Sequence, residues 1–308
     1  MRKPWGVGVL LAGLLLGACG DPESAPGDPA PAAPRATAST RQPAPAASSS
    51  PAASSSPAAR PHKAPRVLYL GDSLAMENQK VLGRELRRDL RAEYTSAPYS
   101  GTTLCDYLEG TARRSLVPAS DKAAALVRRL RPDVVVLQFW GNSWGYTPCM
   151  DGITHAKSPS RYFTRYAADA RRLTEQIAAA GRGSGPRIVW VAQGPDPITP
   201  DRVRRVNALY ARLAAASGAL VADAGRAVSP VGDRYTWTRY LPCTAFERAR
   251  PGFCTQPSRD RTALHRADDY LHFCLAPTTS RPKPCPVPSP GILRIAREIT
   301  KTVRQSTR

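Results

Sequence analysis

Val67-Leu68-Tyr69-Leu70-Gly71-Asp72-Ser73-Leu74 is the stretch on which the reading of this chain turns. A short apolar run stops at a glycine, and a helical pattern takes over in which Leu82, Leu86 and Leu90 recur at steps of four. A brief apolar run bounded by a turn reads as a buried strand, and leucines at that spacing give a helix one apolar face. Ser73 therefore sits at a sharp strand-to-helix turn. Far downstream the chain carries Asp269-Tyr270-Leu271-His272. A serine hydroxyl is a poor nucleophile until a base accepts its proton, and an imidazole is a good base once a carboxylate fixes its tautomer. The two segments together supply the minimum set for nucleophilic ester chemistry, with Ser73, His272 and Asp269 as candidate catalytic residues.

Four further segments read as buried strands after the first at 66–70: they lie at 92–96, 133–139, 187–192 and 219–223. The third and fourth strands of the set are almost continuously apolar, as expected when a sheet is covered on both faces. Helical patterns alternate with them. One starts at Ser73, one runs from Ser120-Asp121 through Leu130, and one runs from Ser158-Pro159-Ser160 to Gly181. Thr199-Pro200 supplies an N-cap with proline at the first position and opens a helix ending near Gly218; residues 291–303 form a last amphipathic helix. Alternation of this kind predicts an α/β protein, a parallel five-stranded sheet with helices on both faces. Residues 143–157 and 225–268 are punctuated by Pro and Gly and are expected to be irregular lids or walls.

The N-terminal region addresses location. Arg2 and Lys3 precede an apolar stretch at 7–16 that is too short to span a bilayer, which is the pattern of an export signal over 1–18. It closes on Leu16-Gly17-Ala18-Cys19, which resembles the bacterial lipobox and implies cleavage before Cys19 and lipidation of its thiol. Two or more acyl chains make a durable membrane anchor. Residues 19–64 are mostly Pro, Ala and Ser and cannot bury enough apolar surface to fold. Such a tether reaches about 140 Å when fully extended. The expected location is the extracytoplasmic face of a bacterial membrane, with residues 65–308 forming one domain.

The formal charge is +20, of which +17 remains on the domain after Arg2, Lys3 and the single surplus base of 20–64 are set aside. Only seven of the 44 basic residues are lysine. This balance suits an anionic envelope, whether phospholipid head groups or wall polymers. Nucleic acid is not an expected partner, because no basic-aromatic motif accompanies the charge. With Cys19 set aside, Cys105, Cys149, Cys243, Cys254, Cys274 and Cys285 remain, an even set in an oxidising compartment, so three disulfides are expected rather than a zinc site. Proximity in sequence favours Cys243 with Cys254 and Cys274 with Cys285, leaving Cys105 with Cys149. Six cysteines allow 15 pairings, and the sequence alone does not choose among them.

Ser73, Gly101 and Asn142 each follow an expected strand, and ligands of open parallel sheets bind at the carboxyl ends of strands. With these blocks in order, the chain resembles the SGNH (GDSL) hydrolases: Gly71-Asp72-Ser73-Leu74, then Gly101, then Asn142, then Asp269-x-x-His272. The resemblance implies a three-layer α/β/α, flavodoxin-like fold with disulfide-braced loops, and a triad of Ser73, His272 and Asp269. It also implies an oxyanion hole made by the backbone N–H groups of Ser73 and Gly101 and the side-chain amide of Asn142, no metal and no organic cofactor. Asp72 is expected to shape the turn. The third block departs from the family pattern Gly-x-Asn-Asp, because here it is Trp140-Gly141-Asn142-Ser143, and an altered pocket wall is expected. Trp140, Trp144 and Tyr146 either line an acyl or sugar pocket or pack the lid. His62, in the tether, and His155 and His265 lack partner motifs and are expected at the surface or in a lid.

The function expected is that of a monomeric, membrane-anchored serine esterase acting on short acyl esters of an envelope glycan or lipid. The segment Gly101-Thr102-Thr103-Leu104-Cys105-Asp106 resembles SGNH domains attached to envelope acyltransferases, so transfer of an O-acyl group to a polysaccharide is the alternative within the same chemistry. A catalytically silent glycan-binding module is the alternative outside it.

Overall fold

The apolar runs form the sheet that their alternation with helices requires. The structure, a computed structural model, describes residues 63–111, 114–143, 145–183, 185–279 and 283–307. The expected export signal, Cys19, His62, the tether up to residue 62, and Trp144 lie outside the described residues. Strands β1 (Arg66–Gly71), β2 (Glu93–Ser96), β3 (Val134–Gln138), β4 (Arg187–Val191) and β5 (Leu220–Ala222) make one five-stranded sheet in the order β2-β1-β3-β4-β5. Every pairing in it is parallel, with Val67 beside Val134 and Val189 beside Leu220. That order is flavodoxin-like, and its switch point lies between β1 and β3.

Side chains of a strand alternate between faces, so β1 sends Val67 and Tyr69 to one side and Leu68 and Leu70 to the other. The first side packs against Leu82 and Leu86 of α1 (Ser73–Leu90) and against Ile292, Ile295 and Ile299 of α7 (Pro290–Ser306). The second packs against α2 (Ala123–Leu130), α3 (Pro159–Ala180) and α4 (Pro200–Ser217) through Leu126, Tyr162, Leu173 and Tyr210. The fold is thus a three-layer α/β/α sandwich. No described helix is long and apolar enough to cross a membrane.

Three local expectations are corrected. The helix expected from Ser120 begins at Ala123, after a single 3-10 turn at Ala119–Asp121. Its start is delayed by Lys122, whose buried ammonium donates to the Asp106 carbonyl at 2.5 Å and to Ser115 Oγ at 2.6 Å. Thr199 does not cap α4 with its side chain, because its hydroxyl donates instead to Asp196 Oδ2 at 2.7 Å. Residues 225–268 are not wholly irregular. They include most of α5 (Ala224–Ala227), all of α6 (Ala245–Arg248), and an antiparallel pair, β6 (Tyr240–Pro242) and β7 (Arg261–Ala263). Strands of three residues carry no readable period, and this pair is tied at its end by Cys243–Cys254.

The three disulfides are Cys105–Cys149, Cys243–Cys254 and Cys274–Cys285. The first spans 44 residues and joins the segment after β2 to the loop after β3; the other two each span 11. Chain-entropy arguments give about 4 kcal/mol for the long loop and about 3 kcal/mol for each short one. Replacing Cys105 and Cys149 together by alanine is therefore expected to lower the melting temperature by about 8–16 °C. Thermal melts followed by circular dichroism check this, and a melt unchanged under full reduction would contradict all three bridges.

Candidate active site

The site is assembled at the carboxyl ends of β1 and β3, where the turn after β1 must pass very close to its neighbour. A Cβ on Gly71 would lie 2.0 Å from the Gln138 carbonyl oxygen, so only glycine fits there. Asp72 follows, fully buried, and its carboxylate binds in two directions. Oδ1 accepts the Leu74 N–H at 3.0 Å and caps α1, while Oδ2 accepts the Trp140 N–H at 2.6 Å. Burial pushes Asp72 up to about 6, against the pull of those two backbone bonds. Asp72 shapes the turn, as its position in the motif implies.

Ser73 opens α1 and meets His272. Ser73 Oγ lies 3.0 Å from His272 Nε2, and His272 Nδ1 lies 3.0 Å from Asp269 Oδ2. An ionised carboxylate can only accept, so Nδ1 carries the proton and Nε2 presents its lone pair to the serine hydroxyl. Asp269 is itself held by the N–H groups of Leu271 and His272 at 3.2 and 3.0 Å and by the Thr278 hydroxyl at 3.1 Å. Burial works to raise Asp269, but the hydrogen bonds from the His272 ring and backbone outweigh it and hold the carboxyl well below the usual range. Burial likewise works to lower His272. The Asp269 hydrogen bond and the negative charges of Glu77, Asp269 and Asp72 outweigh it and raise the imidazole above its ordinary value.

Ser73, Gly101, Asn142 and His272 line one cavity of about 390 Å³. Gly101 has the positive φ of 76° that glycine adopts without strain, and a Cβ there would come 3.3 Å from the Tyr146 ring. Asn142 Nδ2 donates to the Thr102 carbonyl at 3.0 Å and to Asp72 Oδ2 at 3.3 Å, which ties the third block to the segment after β2. The opposite wall comes from the Cys274–Cys285 loop, through Ala276, Pro277, Thr278, Lys283 and Pro284.

The aromatic residues around Asn142 divide. Tyr146 is exposed and lines the cavity, whereas Trp140 is buried in the core with the Arg202 guanidinium 3.5 Å above its ring. Arg202 is buried as well; it pairs with Asp196 at 2.7 Å and donates to the Gly141 carbonyl at 3.0 Å. The Trp140 ring turns inward beneath Arg202 and is not among the residues that line the cavity. Ser143 is occupied with the His155 N–H at 2.9 Å.

His265 is also corrected. It is buried rather than at the surface: its Nδ1 lies 2.9 Å from the His272 carbonyl oxygen and its ring stacks on Trp237. Burial pushes it down to about 4, so the ring is neutral and donates to that carbonyl. His155 is partly buried against Tyr162 and Phe163. The sequence reading missed Glu77, which lines the cavity one helical turn beyond Ser73. Spacing of four residues on one helix was the available signal.

No protein-family model matches the chain, and no curated protein is similar to it. Among solved structures, the chain is similar to TesA at 15% identity and a TM-score of 0.40, covering 78% of this chain and 99% of that one. It is similar to the psychrotrophic esterase EstA from Pseudoalteromonas sp. at 14% identity and a TM-score of 0.41, over 78% and 97% of the two chains. It is also similar to the lipase Lip_vut3 from a goat rumen metagenome at 12% identity and a TM-score of 0.42, over 77% and 96%. At these identities and scores the chemistry of the site rests on its own geometry.

Replacing Asp72 by alanine removes a helix cap and the buried carboxylate that accepts the Trp140 N–H. The expected loss is about 2–4 kcal/mol of stability, measured by urea unfolding. A loss below about 0.5 kcal/mol, the level of an ordinary surface substitution, would show that the carboxylate is not the tie described.

Proposed function

We propose that this chain is a serine hydrolase of carboxylic esters, of the SGNH type, working through a Ser73 acyl-enzyme. The observation that carries the reading is the unbroken line from Ser73 Oγ to His272 Nε2 and from His272 Nδ1 to Asp269. In the first half-reaction Ser73 Oγ bonds to the ester carbonyl carbon while its proton passes to Nε2. The carbonyl–alkoxy bond then breaks as Nε2 returns that proton to the leaving oxygen. Water repeats the sequence: it loses a proton to His272, attacks the acyl carbon, and frees the acid and the serine.

The tetrahedral oxygen needs donors. Ser73 N–H and Gly101 N–H are assigned to it, and among the described residues neither is bonded elsewhere. The Asn142 amide is the third, reached by giving up its longer bond to Asp72. Each such donor is worth about a hundred- to a thousand-fold in rate.

The cavity of about 390 Å³ has room for a small acyl group, and the N-terminal lipobox pattern and basic domain support an ester of an envelope glycan or lipid at the outer face of the membrane. The same acyl-enzyme resolved by a sugar hydroxyl would be a transferase, and trapping a labelled acyl group on added oligosaccharide separates the two.

Labelling by a fluorophosphonate tests the reading directly. Wild-type protein is expected to label, Ser73→Ala not at all, and His272→Ala is expected to lose nearly all turnover of a small aryl acetate while keeping its melting temperature. Wild-type-like turnover in His272→Ala would refute the assigned base. Because the base must be neutral and its pKa is raised, the acid limb of kcat/KM is expected above pH ~6.5, the ordinary imidazole value, with activity falling as pH drops through it.

A further inference from the structure

Helix α1 brings Ser73, Met76 and Glu77 to the cavity, and Glu77, four residues on from Ser73, lies on the same face of the helix. Glu77 is 5% exposed, and it faces the segment that bears His272. Its Oε1 accepts the Phe273 N–H at 3.0 Å and its Oε2 accepts the Cys274 N–H at 3.0 Å. Its backbone carbonyl accepts the Cys285 N–H at 3.1 Å, so both ends of the Cys274–Cys285 loop attach to this one residue. Among the described residues no lysine or arginine forms an ion pair with Glu77.

A buried carboxylate without a basic partner is costly unless something else meets its charge. Here two backbone N–H groups meet it. Only a carboxylate accepts two N–H bonds on separate oxygens; glutamine would turn an N–H toward one of them. That grip would by itself be a structural role. The same carboxylate also carries its charge at the cavity shared with His272, whose ring must become an imidazolium each time Ser73 gives up its proton.

We propose that Glu77 is a positioning residue for the base: its carboxylate fastens the His272 segment to the helix that carries Ser73, and it supplies, beside Asp269, a second negative charge facing the imidazolium. This rests on the serine-hydrolase reading. The ionisable groups around Glu77 are Tyr69 and Asp72 from β1 and its turn, Asp269 and His272 from the segment it holds, His265 behind that segment, and Lys283 across the cavity. His265 is neutral, and Asp72 and Asp269 are present in every variant below. Burial pushes Glu77 up to about 7, so its charge is most available at the neutral and alkaline pH at which the base works.

The test measures the rate of fluorophosphonate labelling, and of aryl acetate turnover, against pH for the wild type, Glu77→Gln and Glu77→Asp. Glu77→Gln is expected to lower kcat roughly ten- to a hundred-fold with little change in KM and to move the acid limb to lower pH by roughly one unit, because the imidazolium has lost a neighbouring charge. Glu77→Asp keeps the charge but is too short to hold both N–H groups. It is expected to lose rate while keeping the wild-type acid limb. A wild-type acid limb in Glu77→Gln would overturn the proposal, since a purely structural bracket would change rate or stability without moving it. Should Glu77→Gln fail to fold, a wild-type rate in Glu77→Asp would overturn it equally. A wild type that does not label at all would instead sink the serine-hydrolase reading.

Discussion

The carboxylate of Asp72 is bonded on one oxygen to the first turn of α1 and on the other to the backbone leaving β3. Remove that double attachment and the nucleophile-bearing helix end has no fixed relation to the strand end that carries Asn142. The surrounding residues make sense as ways of permitting it. Gly71 lets β1 pass within contact of Gln138, and Arg202 holds the Gly141 carbonyl from behind while covering Trp140. The price is a charge buried at the centre of the molecule, offset by backbone N–H groups rather than by a direct salt bridge.

A second set of bonds fixes the base, and here side chains have taken over what secondary structure does elsewhere. The segment around His272 belongs to no helix or strand, yet four successive N–H groups and the His272 carbonyl are engaged by side chains. Asp269 takes the N–H groups of Leu271 and His272, Glu77 takes those of Phe273 and Cys274, and His265 meets the His272 carbonyl. A residue on a loop needs supporting bonds of this kind to hold the geometry that proton transfer over one hydrogen bond demands.

Much of this was legible in the sequence, and the reasons differ by element. Four of the five strands are apolar runs whose bounds are local properties, so their positions followed within one or two residues; β2, Glu93-Tyr94-Thr95-Ser96, was placed as well but read as buried, whereas it is an edge strand with Glu93 and Thr95 exposed. The Cys243–Cys254 and Cys274–Cys285 pairs are close in sequence, so proximity favoured them. Ser73, Asp269 and His272 lie in two short motifs, and the structure brings their side chains within hydrogen-bond reach. Glu77 and Arg202 were not found, because each acts on backbone far away along the chain: 196 residues separate Glu77 from Phe273, and 61 separate Arg202 from Gly141. His265 was misplaced because its burial against Trp237 and Phe273 comes only with packing. A glutamate on an amphipathic helix reads as solvated until the packing is known. The same limit misplaced Trp140, whose inward turn depends on a guanidinium contributed from α4.

The loop between Cys274 and Cys285 carries a further consequence. It is a ring closed by a covalent bond, and Pro277 and Pro284 within it line the cavity together with Ser73. Its described residues next to the cavity are thus held by a bridge and by two fixed prolyl backbone angles, which leaves a guest less of that stretch to order on entering.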